Sequence, residues 1–483
     1  MQRLLLWFRR DLRLSDQAAL YHAAQTKAEI VPVFIFDPYL LHHPEVGSGR
    51  VQFMLQCLES LERNLQVLGL PLIRRYGAQA EVIPELAAEL KAEAVFWNED
   101  SERQYRSATD QQICERLRAL GIAVYTFSSE AGLPAGGRDT YDLKVFTPAW
   151  EAYHRRPLWH RPPALCAPTI AIANQPYRSL TDLHLPPCRQ WHPVGGERYA
   201  HQQLQHFLSQ SSAHYLRSLS RATAATSHCS HLGAYLKFGC LSVRQAVQAA
   251  RQYPTFSKAQ RRSLDAFVGR LFWRDHFYQK LRNLPHCETQ SYLSAFDAVP
   301  WNRDWDDYIA WCDGQTGYPL VDAAMRCLKA TGWLPFRLRA LCATFLCIDL
   351  FMPWQWGALH YMQCLIDADV AIDHWQWQSH AGASNRARHW FRVYNPVSGC
   401  SKIDPEGDFI RRWLPELAAI PSEYLATPWR MSWSLQQRLG CWLGKTYPWP
   451  RIEHTQARRR ALQILQPLKQ TPAPSPQLEL PLV

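Results

Sequence analysis

The first 130 residues alternate between short apolar runs and amphipathic stretches. Runs at 3–8, 30–36, 71–75, 94–97 and 122–127 have the length of strands and are apolar at successive positions, as strands covered on both faces must be. Between them, 51–68 and 82–90 repeat with the period of a helix. Five buried strands alternating with helices predict an α/β layer built on a doubly wound, five-stranded parallel sheet. The three-glycine dinucleotide fingerprint is absent. No strand runs directly into Gly47-Ser48-Gly49, which reads as a helix start rather than a phosphate loop. From about 150 to 200 the periodicity is lost and prolines accumulate (Arg161-Pro162-Pro163, Pro168, Pro176, Pro186-Pro187, Pro193), the pattern of a linker. Beyond 200 the period is helical, for example at 243–251, 260–280, 321–331 and 338–348. The expected organisation is an α/β domain at 1–130, a linker at 131–200, a large all-α domain at 201–468 and a flexible tail at 469–483.

Apolar stretches are too short or too interrupted to cross a membrane; 343–352 contains Asp349. The run Leu4-Leu5-Leu6-Trp7-Phe8 meets Arg9-Arg10-Asp11 too soon for a signal peptide. Fourteen cysteines without a C-x-x-C pair suggest reduced thiols in a cytoplasmic protein, with no metal site.

Charge narrows the partner. Lys and Arg number 53 against 42 Asp and Glu, a balance of +11; 13 basic against 6 acidic residues fall between 381 and 460. There Arg386, Arg388, Arg392, Lys402, Arg411, Arg412 and Arg430 interleave with Trp390, Phe391, Tyr394, Trp413 and Trp429. Cations for phosphates and flat rings for bases suit nucleic acid; a solvated basic face over core aromatics explains the same composition equally well. Two further features carry chemistry. Asp367-Ala368-Asp369 follows the apolar Cys364-Leu365-Ile366, and Asp373 comes about one helical turn later; carboxylates in such company need cations, for which Arg337 and Arg339 are the expected partners. Fourteen of the 20 tryptophans lie between 301 and 449, and Trp301, Trp354 and Trp377 fall on three different helical segments. They are core packing or an electron path, and periodicity does not choose between the two.

The motifs themselves point further. Trp7-Phe8-Arg9-Arg10-Asp11-Leu12-Arg13 resembles the opening of the photolyase/cryptochrome flavoproteins. So do the stretch from Trp311-Cys312-Asp313-Gly314 through Ala323-Ala324-Met325-Arg326, then Ala330-Thr331-Gly332-Trp333, Leu365-Ile366-Asp367-Ala368-Asp369, and Asp404-Pro405-Glu406-Gly407 through Trp413-Leu414-Pro415-Glu416-Leu417. The resemblance implies an antenna domain, a linker and a helical domain holding a U-shaped FAD. By motif, Tyr215 begins the flavin pocket; Cys229, Ser230, His231, Leu232 and Gly233 form its phosphate turn; Trp273 and Arg274 border flavin and substrate; Arg339 and Asp367 pair over the isoalloxazine ring, with Ala368 and Asp369 beside them. Trp377, Trp354 and Trp301 match the photoreduction relay from inner to outer.

Departures from that pattern bear on substrate. In the phosphate turn Cys229, Ser230 and Gly233 stand where hydroxyl residues are usual, so backbone N–H groups would carry more of the pyrophosphate. Enzymes acting on cyclobutane dimers place a glutamate where this chain has Arg270, an asparagine where it has Phe336 ahead of Arg337-Leu338-Arg339, and a second tryptophan where it has Ser379; Ala340 replaces the usual methionine. Asp373 falls at the place opposite flavin N5, occupied by asparagine in the repair enzymes and by aspartate in plant cryptochromes; a carboxylic acid there can deliver a proton to N5, which an amide cannot. Arg270, Trp273, Phe336, Arg337, Ser379, Arg392 and Lys402 would meet DNA and the lesion.

The function so implied is that of a blue-light-driven DNA photolyase, a carbon–carbon lyase. It works as a monomer on UV-damaged single- or double-stranded DNA, passing an electron from reduced FAD to a flipped-out pyrimidine dimer. The alternative is a cryptochrome-type photoreceptor without repair. Folate, deazaflavin and no second chromophore stay open for the antenna, near Glu102 and Tyr105, as do cyclobutane and (6-4) lesions.

Overall fold

A computed structural model describes residues 3–100, 102–128, 140–176, 178–188, 193–384 and 392–469. The chain divides into two compact units: Met1–Pro285 with Leu328–Leu334 and Tyr361–Ile372, and His286–Cys327 with Pro335–His360 and Asp373–Val483.

The first unit is built on a sheet of five parallel strands, β1 (Arg3–Phe8), β2 (Glu29–Phe36), β3 (Ile73–Tyr76), β4 (Ala94–Asn98) and β5 (Ala123–Phe127), in the order β3-β2-β1-β4-β5. Side chains alternate across it. Leu4, Leu6, Phe8, Ile30, Phe34, Phe36 and Phe96 enter one core, while Leu5, Trp7, Val31, Val33, Ile35, Val95 and Trp97 enter the other. Both faces are covered, which is why the central strands read as continuous apolar runs. The helices Ala18–Gln25, Ser48–Gln66, Gln79–Glu89 and Gln104–Ala119 connect the strands. Strand order reverses at β1 and β4, so the crevice beyond their carboxyl ends is where this architecture places ligands.

Gly47 is the N-cap of Ser48–Gln66. A Cβ there would lie 1.9 Å from the carbonyl oxygen of Gln363, so only glycine allows that approach. The segment expected as a linker contains a helix, Leu143–His154, that the periodicity did not indicate: Pro148 lies inside it, yet Phe146, Trp150 and His154 follow each other at i, i+4 and are buried. Further on, the chain is pinned to the sheet, with the Ile30 N–H donating to Cys166 O (2.9 Å) and the Arg75 guanidinium to Ala173 O (2.7 Å). The longest helix of the first unit is Lys258–Asn283, capped by Ser257.

The second unit is helical, as expected. Its helix over 338–348 resolves into an α-helix, Phe336–Thr344, followed by a π-helical turn, Phe345–Asp349. Thr344 contributes to the change by turning its hydroxyl back onto Ala340 O (2.9 Å). Arg386, Arg388, Trp390 and Phe391, part of the basic–aromatic signal, and the tail from 470 lie outside the described residues.

Candidate functional site

Arg10 follows directly on β1, and Asp100 and Glu102 follow β4, so the strand reversal brings them together. Arg10 binds Asp100 (2.5 Å), Glu102 (3.3 Å), Asp369 (3.1 Å) and the Tyr278 hydroxyl (2.9 Å). Lys237 pairs with Glu102 and lies 3.4 Å from Asp369; Tyr278 donates to Asp369; Arg106 pairs with Asp100 at 2.8 Å. All are buried or nearly so. Burial alone would push the carboxyls up, but the surrounding cations hold Asp100, Glu102 and Asp369 below the usual range. For Lys237 burial wins over Asp369 and Glu102, and its ammonium is lowered. The partners expected for the carboxylate run were Arg337 and Arg339; for Asp369 they include Arg10 and Lys237, which come from far earlier in the chain. One signal was present: Lys237 interrupts the apolar Tyr235-Leu236-Lys237-Phe238 run.

Beside this cluster lies a cavity of about 110 Å³ at the carboxyl ends of β1 and β2. Phe8, Phe34, Phe36 and Phe238 supply apolar faces, and Arg9, Arg50, Arg103 and Arg106 line it with cationic groups. Tyr105, near which the sequence suggested an antenna, stacks on Tyr39 with centroids 4.0 Å apart and donates to Asp37.

Cys229, Ser230, His231, Leu232 and Gly233, expected from the sequence to form a phosphate turn, run from the end of the helix Ala222–His228 into the helix Gly233–Lys237. His231 has φ = 52°, and its ring lies 4.5 Å from that of Trp333. Among the described residues, the N–H groups of Ser230, His231, Leu232 and Gly233 donate to no protein acceptor. Four such donors in a turn with a left-handed residue suit a polyanion, and this is the feature by which the chain fits the pyrophosphate of a dinucleotide. A Cβ at Gly233 would lie 2.5 Å from Asp367 Oδ2, so the Asp367 side chain occupies the space any larger residue would need. Ala368, next to it, is buried.

Tyr215 is 5% exposed, and burial raises its phenol although the Arg270 guanidinium beside it pulls the other way. Arg270, Trp273 and Arg274 follow at i, i+3 and i+4 on Lys258–Asn283, which places them on one side of that helix. Arg270 is exposed and Trp273 is 42% exposed. Arg274 pairs with Asp275 (2.9 Å), which also accepts from the Trp150 indole (2.9 Å), and its guanidinium covers the Tyr278 ring at 4.6 Å. Asp275, a conceivable salt-bridge partner for Arg270, is thus engaged by Arg274.

In the second unit, Asp373 and Trp377 are one turn apart on Val370–Ala381, and both are buried. The Trp377 ring packs against Gly357, where a Cβ would meet it at 2.1 Å. Trp354 is buried and donates its indole N–H to Ser291 Oγ (3.0 Å). Half-buried Trp301 donates to Phe296 O (3.1 Å) and packs on Phe351 at 4.9 Å. Half-buried Phe336, Arg337 and Arg339 share the helix Phe336–Thr344, and Arg337 donates to the Tyr394 hydroxyl (3.1 Å). Ser379, Arg392 and Lys402 are exposed. Sequence reasoning did not single out Trp311, which stands edge-on to Trp377 with centroids 6.0 Å apart.

A unit with a switch-point sheet and a turn of uncommitted N–H donors, and a helical second unit with buried indoles, define a flavin-binding class of α/β-plus-α proteins. The description "DNA photolyase" matches residues 4–168, and "FAD binding domain of DNA photolyase" matches 267–467; the chain belongs to the photolyase/cryptochrome family. It is 34% identical to the deoxyribodipyrimidine photo-lyase of Synechococcus sp., over 86% of this chain and 88% of that protein. It superposes on the cryptochrome of Synechocystis sp. with a TM-score of 0.88 at 28% identity, covering 96% of this chain and 99% of the other. The archaeal photolyase of Sulfolobus tokodaii, solved with two FAD molecules and described as implying a novel light-harvesting cofactor, gives a TM-score of 0.80 at 26% identity over 96% and 99% of the two chains.

Proposed function

We propose that this protein is a blue-light-driven DNA photolyase that binds FAD and splits UV-induced pyrimidine dimers, acting as a monomer in the cytoplasm. The single observation that carries the cofactor is the row of uncommitted N–H donors from Ser230 to Gly233. The match over both halves of the chain to photolyase descriptions supports the reaction. FAD supplies the light-driven electron transfer; the chain's residues bind, orient and shield.

Cys229, Ser230, His231, Leu232 and Gly233 would hold the pyrophosphate, with Tyr215 at the edge of the pocket. Asp367, Ala368 and Asp369, with Arg339, would set the ring's position, and Asp373 would move a proton at N5. Arg270, Trp273, Arg274, Phe336, Arg337 and Ser379 would meet the lesion, while Arg392 and Lys402 would bind phosphates, so that binding weakens with salt. A dimer is already poorly stacked, which lowers the cost of flipping it out. Trp377, Trp354 and Trp301 would pass electrons inward.

The cavity at the ends of β1 and β2 is the place we assign to a second chromophore. Its phenylalanines and arginines favour a flat, anionic heteroaromatic ring system.

A cryptochrome-type photoreceptor is the second reading, favoured by Asp373 and by Arg270, Phe336 and Ser379 at the substrate positions. UV-irradiated DNA incubated with the FAD-loaded protein under blue light separates the two: loss of dimers supports repair, and intact dimers alongside normal photoreduction support the photoreceptor.

A further inference from the structure

Part of the basic and aromatic composition at 381–460 serves the fold. Arg411 donates to Glu406 O (2.7 Å) and Ile420 O (3.2 Å), and Trp429 stands edge-on to Tyr318 with centroids 5.3 Å apart. The segment that follows is different. From Tyr424 to Ile452 the chain has no acidic residue, yet it carries Arg430, Arg438, Lys445 and Arg451. Arg451 pairs with Asp307 (2.7 Å). Arg430, Arg438 and Lys445 are exposed and, among the described residues, take part in no ion pair.

Three indoles accompany these cations, and core packing does not account for them. Trp433 opens the helix Trp433–Leu439, whose N-cap Ser432 accepts from the Leu435 N–H (3.3 Å), and it is 69% exposed. Its ring tilts against half-buried Trp442 with centroids 4.6 Å apart. Trp442 O accepts the N–H groups of Lys445 (3.1 Å) and Thr446 (2.8 Å), which closes a tight turn. Gly444 in that turn has φ = 80°, and a Cβ on it would lie 3.0 Å from Trp449 Nε1, so Trp449, 54% exposed, lies against the turn. One turn therefore holds Trp442 at its start, the exposed Lys445 within it and Trp449 against its glycine. The exposed apolar surface here is aromatic rather than aliphatic, since Leu435 and Leu439 are half-buried and Leu443 is buried.

Flat rings match the faces of unpaired bases, and unpaired cations match phosphates. A lipid surface would call for exposed aliphatic side chains as well. A duplex keeps the faces of its bases inside the stack, so only a single strand engages both features. We infer that the surface formed by Trp433, Trp442, Trp449 and Lys445, with Arg430 and Arg438 on the same acid-free segment, binds single-stranded DNA by stacking on unpaired bases and pairing with phosphates. Binding there needs no lesion, flavin or light, so it is independent of the repair reading.

The test measures, by fluorescence anisotropy in the dark, binding of a labelled, undamaged oligo(dT) and of a duplex of the same length to the full-length, FAD-loaded protein. Trp433→Ala should weaken the single strand about tenfold and leave the duplex unchanged. Lys445→Ala should lower the salt slope of single-strand binding by about 0.7. The same oligonucleotide carrying 5-iodouracil should crosslink to the peptides that hold Trp433 or Trp442. Single-strand affinity unchanged in both variants, with crosslinks confined to other peptides, would overturn the proposal. So would equal losses for single strand and duplex in Trp433→Ala, which would exclude stacking on bases. Capture by phosphatidylserine vesicles that Trp433→Ala abolishes, with oligo(dT) affinity intact, would overturn it in favour of a membrane surface. Trp433 and Lys445 are exposed, and flavin photoreduction at the wild-type rate shows that both variants are folded.

Discussion

Single residues carry costs that can be measured. Asp322 is fully buried, and burial raises its carboxyl to about 6 against the hydrogen bonds of Thr316, Tyr447 and Gly317, which favour the anion. The native state therefore binds the proton more tightly than the unfolded chain. The protonated acid stabilises the fold fully near pH 4, and that contribution is lost as pH rises through 6, by roughly 3 kcal/mol. Asp322→Asn should flatten this dependence between pH 4 and 7 in urea unfolding; a variant curve parallel to wild type would mean that Asp322 does not titrate there. Gly357, also buried, is the other sensitive position. Its replacement by alanine forces a Cβ into the Trp377 ring, and should destabilise by about 1–3 kcal/mol and slow photoreduction. An unchanged photoreduction rate in a folded Gly357→Ala variant would show that the seat of that ring does not matter. Neither residue stood out in the sequence, because a buried carboxylate and a glycine seat depend on what the fold brings against them.

Among the elements, the central strands were legible because both their faces are covered and the apolar runs follow directly from that. The helices Val243–Gln252 and Lys258–Asn283 were legible from their period. The helix Leu143–His154 was hidden by Pro148 and by prolines around it, and the π-helical turn after Thr344 is a matter of hydrogen bonding that composition does not record. The cluster behind β1 and β4 was half legible. Asp369 was found from its apolar company, but its partners Arg10 and Lys237 meet it only through topology. Lys237→Met leaves Glu102 and Asp369 without one of their cations and should cost about 3–5 kcal/mol. Because the cluster's carboxyls are held below their ordinary range, its contribution is present above about pH 4 and declines only as pH falls through the lowered values. Urea midpoints of wild type and Lys237→Met at pH 7 test this, and coincident midpoints would remove the cluster as a source of stability.

For the whole molecule, family motifs at both ends of the chain made the class legible; the stretch proposed to hold the cofactor is poor in hydroxyls, and among the described residues its N–H groups from Ser230 to Gly233 are uncommitted. Substrate choice is less legible, since Arg270 and Ser379, proposed above to meet the lesion, are exposed side chains whose pattern in the sequence is set by no core. Repair by electron transfer needs cofactor, light and lesion together, so the most direct measurement counts dimers in a UV-irradiated oligonucleotide incubated with the FAD-loaded, photoreduced protein, in blue light and in darkness. The account predicts loss of dimers in the light alone, with restoration of intact pyrimidines. Dimers that survive illumination while the bound flavin is reduced normally would contradict it.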